Sequence, residues 1–123
     1  MNDIVVVDDD GLLRSLVVDW LSADGYQVRE APDGDAALAL LRTEPADLLI
    51  TDMQMPRRDG VQTLSQLRDE LPGMRVIAIS GQFHSGRGVS VQTALSLGAS
   101  RCLSKPFTRE DLLAAVREVV DAR

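Results

Sequence analysis

Five short runs of β-branched and aliphatic residues, separated by longer stretches of helical spacing, constrain this chain more than any other feature. They cover residues 4–7, 27–31, 47–51, 75–80 and 100–104. Strand-like runs that alternate with helix-like stretches predict a parallel sheet joined by crossover helices. Three of the runs are continuously apolar, as expected of central strands covered on both faces.

The intervening stretches carry apolar residues at three- and four-residue steps. In the first, Leu12, Leu13, Leu16, Val17, Trp20 and Leu21 follow a possible N-cap, Asp10, and precede a stop at Gly25. Asp33 or Asp35 starts the second, which ends at Glu44-Pro45, and the third uses Val61, Leu64, Leu67 and Leu71 before Pro72-Gly73. Residues 81–88 contain three glycines and read as a loop before a short helix over 89–97. Thr108 with Asp111 three positions on resembles a capping box for a last helix through Leu112, Leu113, Val116, Val119 and Val120. Arg117 and Arg123 near its end suit the helix dipole.

Composition narrows the function. At 123 residues the chain reads as one domain, 1–123, large enough for an aliphatic core. Cys102 is the only cysteine, so no intramolecular disulfide forms and a reducing compartment is expected. A net charge of −6 disfavours phosphate backbones, so the expected partner is a protein and not a nucleic acid. The start of the chain reads as neither a signal peptide nor a membrane span, which predicts a cytoplasmic protein with no membrane contact.

In an open parallel sheet, ligands bind beyond the carboxyl ends of the strands. The residues there are Asp8-Asp9-Asp10, Thr51-Asp52, Ser80-Gly81 and Ser104-Lys105-Pro106. Carboxylates brought this close repel one another unless a cation joins them. With oxygen donors alone the expected ion is hard, Mg²⁺ with Mn²⁺ as a substitute. Asp10 is assigned to the helix cap, and Asp8, Asp9 and Asp52 to the metal. Lys105, held by the strand behind it, can meet a phosphate as a point charge.

These residues resemble receiver domains of two-component response regulators. The resemblance rests on Val5-Val6-Val7-Asp8-Asp9-Asp10, on the run from Asp47 through Asp52-Met53-Gln54-Met55-Pro56 to Asp59-Gly60, on Ile79-Ser80-Gly81, and on Gly98-Ala99-Ser100 leading into Lys105-Pro106-Phe107. It implies an α/β, flavodoxin-like, doubly wound (βα)5 fold with a five-stranded sheet in the order 2-1-3-4-5. It also implies that Asp52 accepts a phosphoryl group from a phosphohistidine on a sensor histidine kinase or a histidine phosphotransfer protein. In that scheme Asp9, Asp52 and the backbone carbonyl of Gln54 ligate Mg²⁺, and Asp8 holds it mainly through water. Lys105, Ser80, Gly81 and the backbone of Met53 contact the phosphoryl group, and the Lys105-Pro106 bond is cis. Two positions depart from the family pattern: Ser80 stands where threonine is commoner, and the switch position Cys102 stands where an aromatic is usual.

The implied output face comprises residues 89–97, 100–104 and 108–120, open to a protein target or to a second copy in a weak homodimer, with a monomer otherwise. The chain is then a stand-alone receiver that catalyses its own phosphorylation and dephosphorylation, not a conventional turnover enzyme. An aspartyl-nucleophile phosphohydrolase is a poorer reading, because Gln54 stands where the second aspartate of an Asp-x-Asp pair is needed. A pseudo-receiver acting only as an interaction module is disfavoured by the intact set Asp8, Asp9, Asp52 and Lys105.

Overall fold

The computed structural model describes residues 2–53, 60–81 and 90–121. In chain order the elements are β1 (Asp3–Val7), α1 (Gly11–Ala23), β2 (Gln27–Ala31), α2 (Gly34–Thr43), β3 (Leu48–Asp52), α3 (Gly60–Glu70), β4 (Arg75–Ser80), α4 (Val91–Ser96), β5 (Arg101–Ser104) and α5 (Arg109–Asp121). The five strands form one parallel sheet in the order β2-β1-β3-β4-β5, the doubly wound flavodoxin-like topology.

Alternation along the central strands explains the two helical layers. Val5 and Val7 of β1, Leu49 of β3 and Val76 and Ala78 of β4 face one core with Leu38 and Leu41 of α2, Leu64 and Leu67 of α3 and Ala94 of α4. Their neighbours Ile4, Val6, Leu48, Ile50, Ile77 and Ile79 face the other, with Val17 and Leu21 of α1 and Leu112 and Val116 of α5. All five residues of β3 are buried, which accounts for its unbroken apolar run. Among the described residues no helix is long and apolar enough to cross a membrane.

The boundaries shift by a residue or two from those read in the sequence. β3 runs one residue further, taking Asp52 into the strand, and β5 starts at Arg101 because Ser100 spends its N–H on Val76 O at the strand entrance. Asp10 caps α1 by accepting from the N–H groups of Leu12 and Leu13, and Asp33, not Asp35, caps α2. Ser90 caps α4, so that helix opens at Val91. Gly25, at φ +98°, supplies the left-handed turn after α1. Arg117 does not serve the helix end: it lies mid-helix and pairs with Asp24 at 3.2 Å.

The capping box of α5 is reciprocal, with the Asp111 N–H donating to Thr108 Oγ1 at 3.0 Å and the Thr108 N–H donating to Asp111 Oδ2 at 3.1 Å. Thr108→Ala removes one half of the box. Its expected cost is about 1 kcal/mol, measured as a lower urea midpoint at unchanged slope.

Candidate functional site

The strand order reverses at β1, whose neighbours β2 and β3 connect to opposite sides, and such a switch point opens a crevice at the carboxyl ends. Val7 is in register with Thr51, so Asp8 emerges beside Asp52. Asp52 is paired with Ile79, and Ser80 with Ser104, which brings Lys105 to the same edge. The Lys105 N–H donates to Ser80 O at 3.0 Å, and the Lys105-Pro106 peptide is cis.

Four of the sequence-predicted residues meet here. Lys105 Nζ lies 3.1 Å from Asp52 Oδ2 and 3.3 Å from Asp8 Oδ2. Asp8 and Asp52 are buried at 4% and 3% exposure, whereas Asp9 is exposed. One carboxylate oxygen from each of Asp8, Asp9 and Asp52 falls within 4.8 Å of the others, a spacing that one cation can bridge. The donors are all oxygen, and an oxygen cluster open on one side suits a hard divalent ion that keeps several waters. Asp8 is further tied by its Oδ1, which accepts the Asp10 N–H at 2.9 Å.

Among the described residues, the carboxylates of Asp8, Asp9 and Asp52 gather about the Lys105 ammonium. Partial burial by itself lowers the basicity of Lys105, but the charges of Asp52 and then Asp8, with the hydrogen bonds to both, outweigh it and hold its pKa above 10.5. The ammonium therefore stays charged throughout the physiological range.

Ser80 is buried at the end of β4, beside the ammonium's strand. Gly81 is exposed, and a Cβ placed on it would meet Lys105 Cβ at an ordinary 3.8 Å. The Met53 N–H donates to Ile79 O at 2.8 Å, continuing the sheet ladder, so in this conformation it is not free for a phosphoryl oxygen. Gln54 and loop residues 82–88 lie outside the described residues. Cys102 is not at the carboxylate cluster: it sits in mid-β5 in register with Ala78, packs on the core beneath α4, and places Sγ 3.9 Å from Val91 O. Burial pushes its thiol pKa up.

Sequence reasoning missed Arg14 and Glu30. Arg14 Nη1 donates to Asp8 O at 2.5 Å while its Nε donates to Glu30 Oε1 at 2.9 Å. The only sign in the sequence is a charge one turn after Asp10 within an otherwise apolar helix start.

The response regulator receiver domain family model matches residues 4–117. The transcriptional regulatory protein CpxR of Klebsiella pneumoniae is 38% identical over 122 residues, covering 98% of this chain and 50% of that protein. The response regulator MprA of Mycolicibacterium vanbaalenii is 35% identical over 117 residues, 95% of this chain and 49% of its own length. The chain thus spans about half the length of the curated relatives it matches. Among solved structures, the receiver domain of NtrX from Brucella abortus superposes with a TM-score of 0.87 at 30% identity, covering 98% of this chain and 100% of that one. The chemotaxis protein CheY4 of Vibrio cholerae does so at 0.86 and 28%, over 97% and 98% of the two chains. Likeness in sequence and in backbone along almost the whole length places this chain in the response regulator receiver domain family of two-component signalling.

Proposed function

We propose that Asp52 is the phosphoacceptor of this receiver, taking its phosphoryl group from a phosphohistidine of a sensor kinase or phosphotransfer protein. The observation that carries the reading is Lys105 Nζ seated between Asp52 and Asp8 at the switch point of the sheet. A carboxylate oxygen of Asp52 attacks phosphorus; the O–P bond forms, the P–N bond breaks, and the electron pair leaves on the imidazole nitrogen, which keeps or takes up a proton. Such a transfer needs positioning and charge neutralisation more than covalent help from the protein. Asp9 and Asp52 would hold Mg²⁺, with Asp8 acting mainly through water and the Gln54 carbonyl as the further ligand that the family resemblance assigns. When bound, the metal neutralises charge on the transferring oxygens.

Lys105 meets a phosphoryl oxygen with its ammonium, and the Ser80 hydroxyl donates to another. The Gly81 N–H, next along the chain, would join them. The Met53 N–H joins only if it leaves Ile79 O. Phosphorylation adds roughly −1.5 to −2 charges and three strong acceptors. Drawing Ser80 inward displaces the segment after β4 and with it the α4-β5-α5 face. Exposed Val91 and Leu95 on α4 support that face as the output surface, bound by a protein target or a second copy. With a thiol at position 102 in place of an aromatic, the link to α4 runs through the Cys102 contact with Val91. Attack of water on the acyl phosphate releases inorganic phosphate and resets the carboxylate.

The test is incubation with acetyl phosphate, with and without Mg²⁺, followed by intact mass and peptide mapping. One labile phosphoryl group on Asp52, dependent on metal, is expected. No adduct where another receiver is labelled, or an adduct on a different residue, removes the assignment.

A further inference from the structure

The exposed carboxylate of Asp9 makes no hydrogen bond or ion pair among the described residues, so its direction is set by the backbone that carries it. That backbone is held at several points. The Asp8 N–H donates to Ala31 O at 3.4 Å, both Asp8 carboxylate oxygens are engaged, by the Asp10 N–H and by Lys105, and the Asp8 carbonyl accepts from Arg14 Nη1 at 2.5 Å. The last contact matters most for Asp9, because the Asp8 carbonyl belongs to the peptide plane that joins the two residues, and rotating that plane swings the Asp9 side chain.

We propose that Arg14 is a positioning residue of the cation site, fixing the Asp8–Asp9 peptide so that the Asp9 carboxylate faces Asp52 and Asp8. The proposal rests on the metal-binding reading of those three aspartates. Its own support is geometric. Arg14 is the fourth residue after Asp10, and its N–H donates to Asp10 O at 2.9 Å, which anchors it in the first turn of α1. Its guanidinium then spans two elements, reaching back to the Asp8 carbonyl and across to Glu30 on β2, which is in register with Val6. The planar fork makes both bonds at once, which a lysine ammonium on a flexible stem does not reproduce.

Glu30 has a second consequence. A bare guanidinium beside the cluster would repel an incoming divalent cation, and the Glu30 carboxylate at 2.9 Å offsets that charge. The Arg14 side chain is 20% exposed and that of Glu30 48%, so solvent screens the pair in part and its role is to hold the fork more than to add stability. Groups that orient metal ligands from the second layer change metal affinity when removed, even though they never touch the ion.

The experiment is a Mg²⁺ titration of the full chain by calorimetry, beside a metal-free thermal melt, for the parent, Arg14→Ala, Arg14→Lys, Glu30→Gln and Arg42→Ala. Arg42 carries a comparable bridge to Glu70 between α2 and α3, remote from the strand ends, and serves as the control. Arg14→Ala should raise the Mg²⁺ Kd about tenfold, Arg14→Lys should recover only part of that, Glu30→Gln should weaken binding severalfold, and Arg42→Ala should leave it unchanged. A folded Arg14→Ala that binds within twofold of the parent overturns the proposal, as does equal weakening by Arg42→Ala. Should Arg14→Ala not fold, Glu30→Gln decides, and parental affinity there overturns it. Absence of Mg²⁺ binding in the parent removes the metal reading and this inference together.

Discussion

Asp52→Asn should take up no phosphoryl group from acetyl phosphate, a fall on the order of 10³-fold or more in labelling rate, yet melt no lower than the parent. The first half follows from chemistry: an amide oxygen is a poor nucleophile, and its phosphorylated product has no stable form. The second half follows from charge. At an effective dielectric of about 20, Lys105 at 3.1 Å attracts the Asp52 carboxylate by about 5 kcal/mol, and carboxylates within 4.8 Å repel it by at least about 3 kcal/mol each. Two such neighbours, Asp8 and Asp9, outweigh the attraction of Lys105. Asparagine keeps the shape and leaves an oxygen for Lys105 while removing the charge. Differential scanning calorimetry and intact-mass labelling on the same sample check both halves. A melt lowered by many degrees means that the charge of Asp52 is structural, and continued labelling means that the acceptor lies elsewhere.

Most of this site was legible because of where the apolar runs stop. The run Leu48-Leu49-Ile50-Thr51, short, apolar and β-branched at its end, reads as a buried central strand, which puts the residue at its carboxyl end at the sheet edge where Asp8 and Lys105 also emerge. The family resemblance then supplies the roles proposed for them. What stayed illegible depends on neighbours far apart in sequence. Arg14 finds Glu30 only because β2 lies beside β1 with Val6 opposite Glu30, and a charge near a helix start otherwise reads as a solvated side chain. Arg117 reads in the sequence as serving the dipole of its own helix, but α1 and α5 share one face of the sheet and the guanidinium pairs with Asp24. The one-residue shifts at β3 and β5 have a smaller cause: Asp47 and Ser100 donate ladder-like bonds, to Asp3 O and Val76 O, from just outside the strands. The Met53 amide shows the reverse limit, since the resemblance assigns it to the phosphoryl group and sheet pairing has already engaged it.

Lys105→Met should lower stability at neutral pH by about 2 kcal/mol in the absence of metal, and should bind Mg²⁺ more tightly than the parent. Breaking a buried ion pair from one side typically costs about 3 to 5 kcal/mol, because the remaining charge has no counterion; the Lys105 side chain is 25% exposed, so solvent takes up part of that loss. Methionine fills the space of the stem, which keeps packing out of the comparison. The pH dependence has a definite sign. The pKa of Lys105 is above 10.5 in the fold, so its contribution is fully present below pH 10.5 and is lost as pH rises through the higher folded value. The gap between parent and variant should therefore hold from neutral pH to about 10.5 and close beyond it. Metal acts in the opposite direction. The parent ammonium already neutralises part of the site and competes with a divalent cation for Asp8 and Asp52, so its removal should tighten Mg²⁺ binding by about tenfold, the factor that corresponds to roughly 1.4 kcal/mol. Saturating Mg²⁺ should then return most of the lost stability, because a ligand that binds only the folded state stabilises it in proportion to its affinity. Urea unfolding at pH 7 and pH 11, with and without Mg²⁺, reads all of this. Parental stability at pH 7 together with parental Mg²⁺ affinity would show that Lys105 is not the resident counterion of the cluster. Labelling at Asp52 should persist in this variant while the amide chemical shifts of α4 and β5 no longer respond to it, since the carboxylate does the chemistry and the ammonium carries the new charge to the strand that bears the output face.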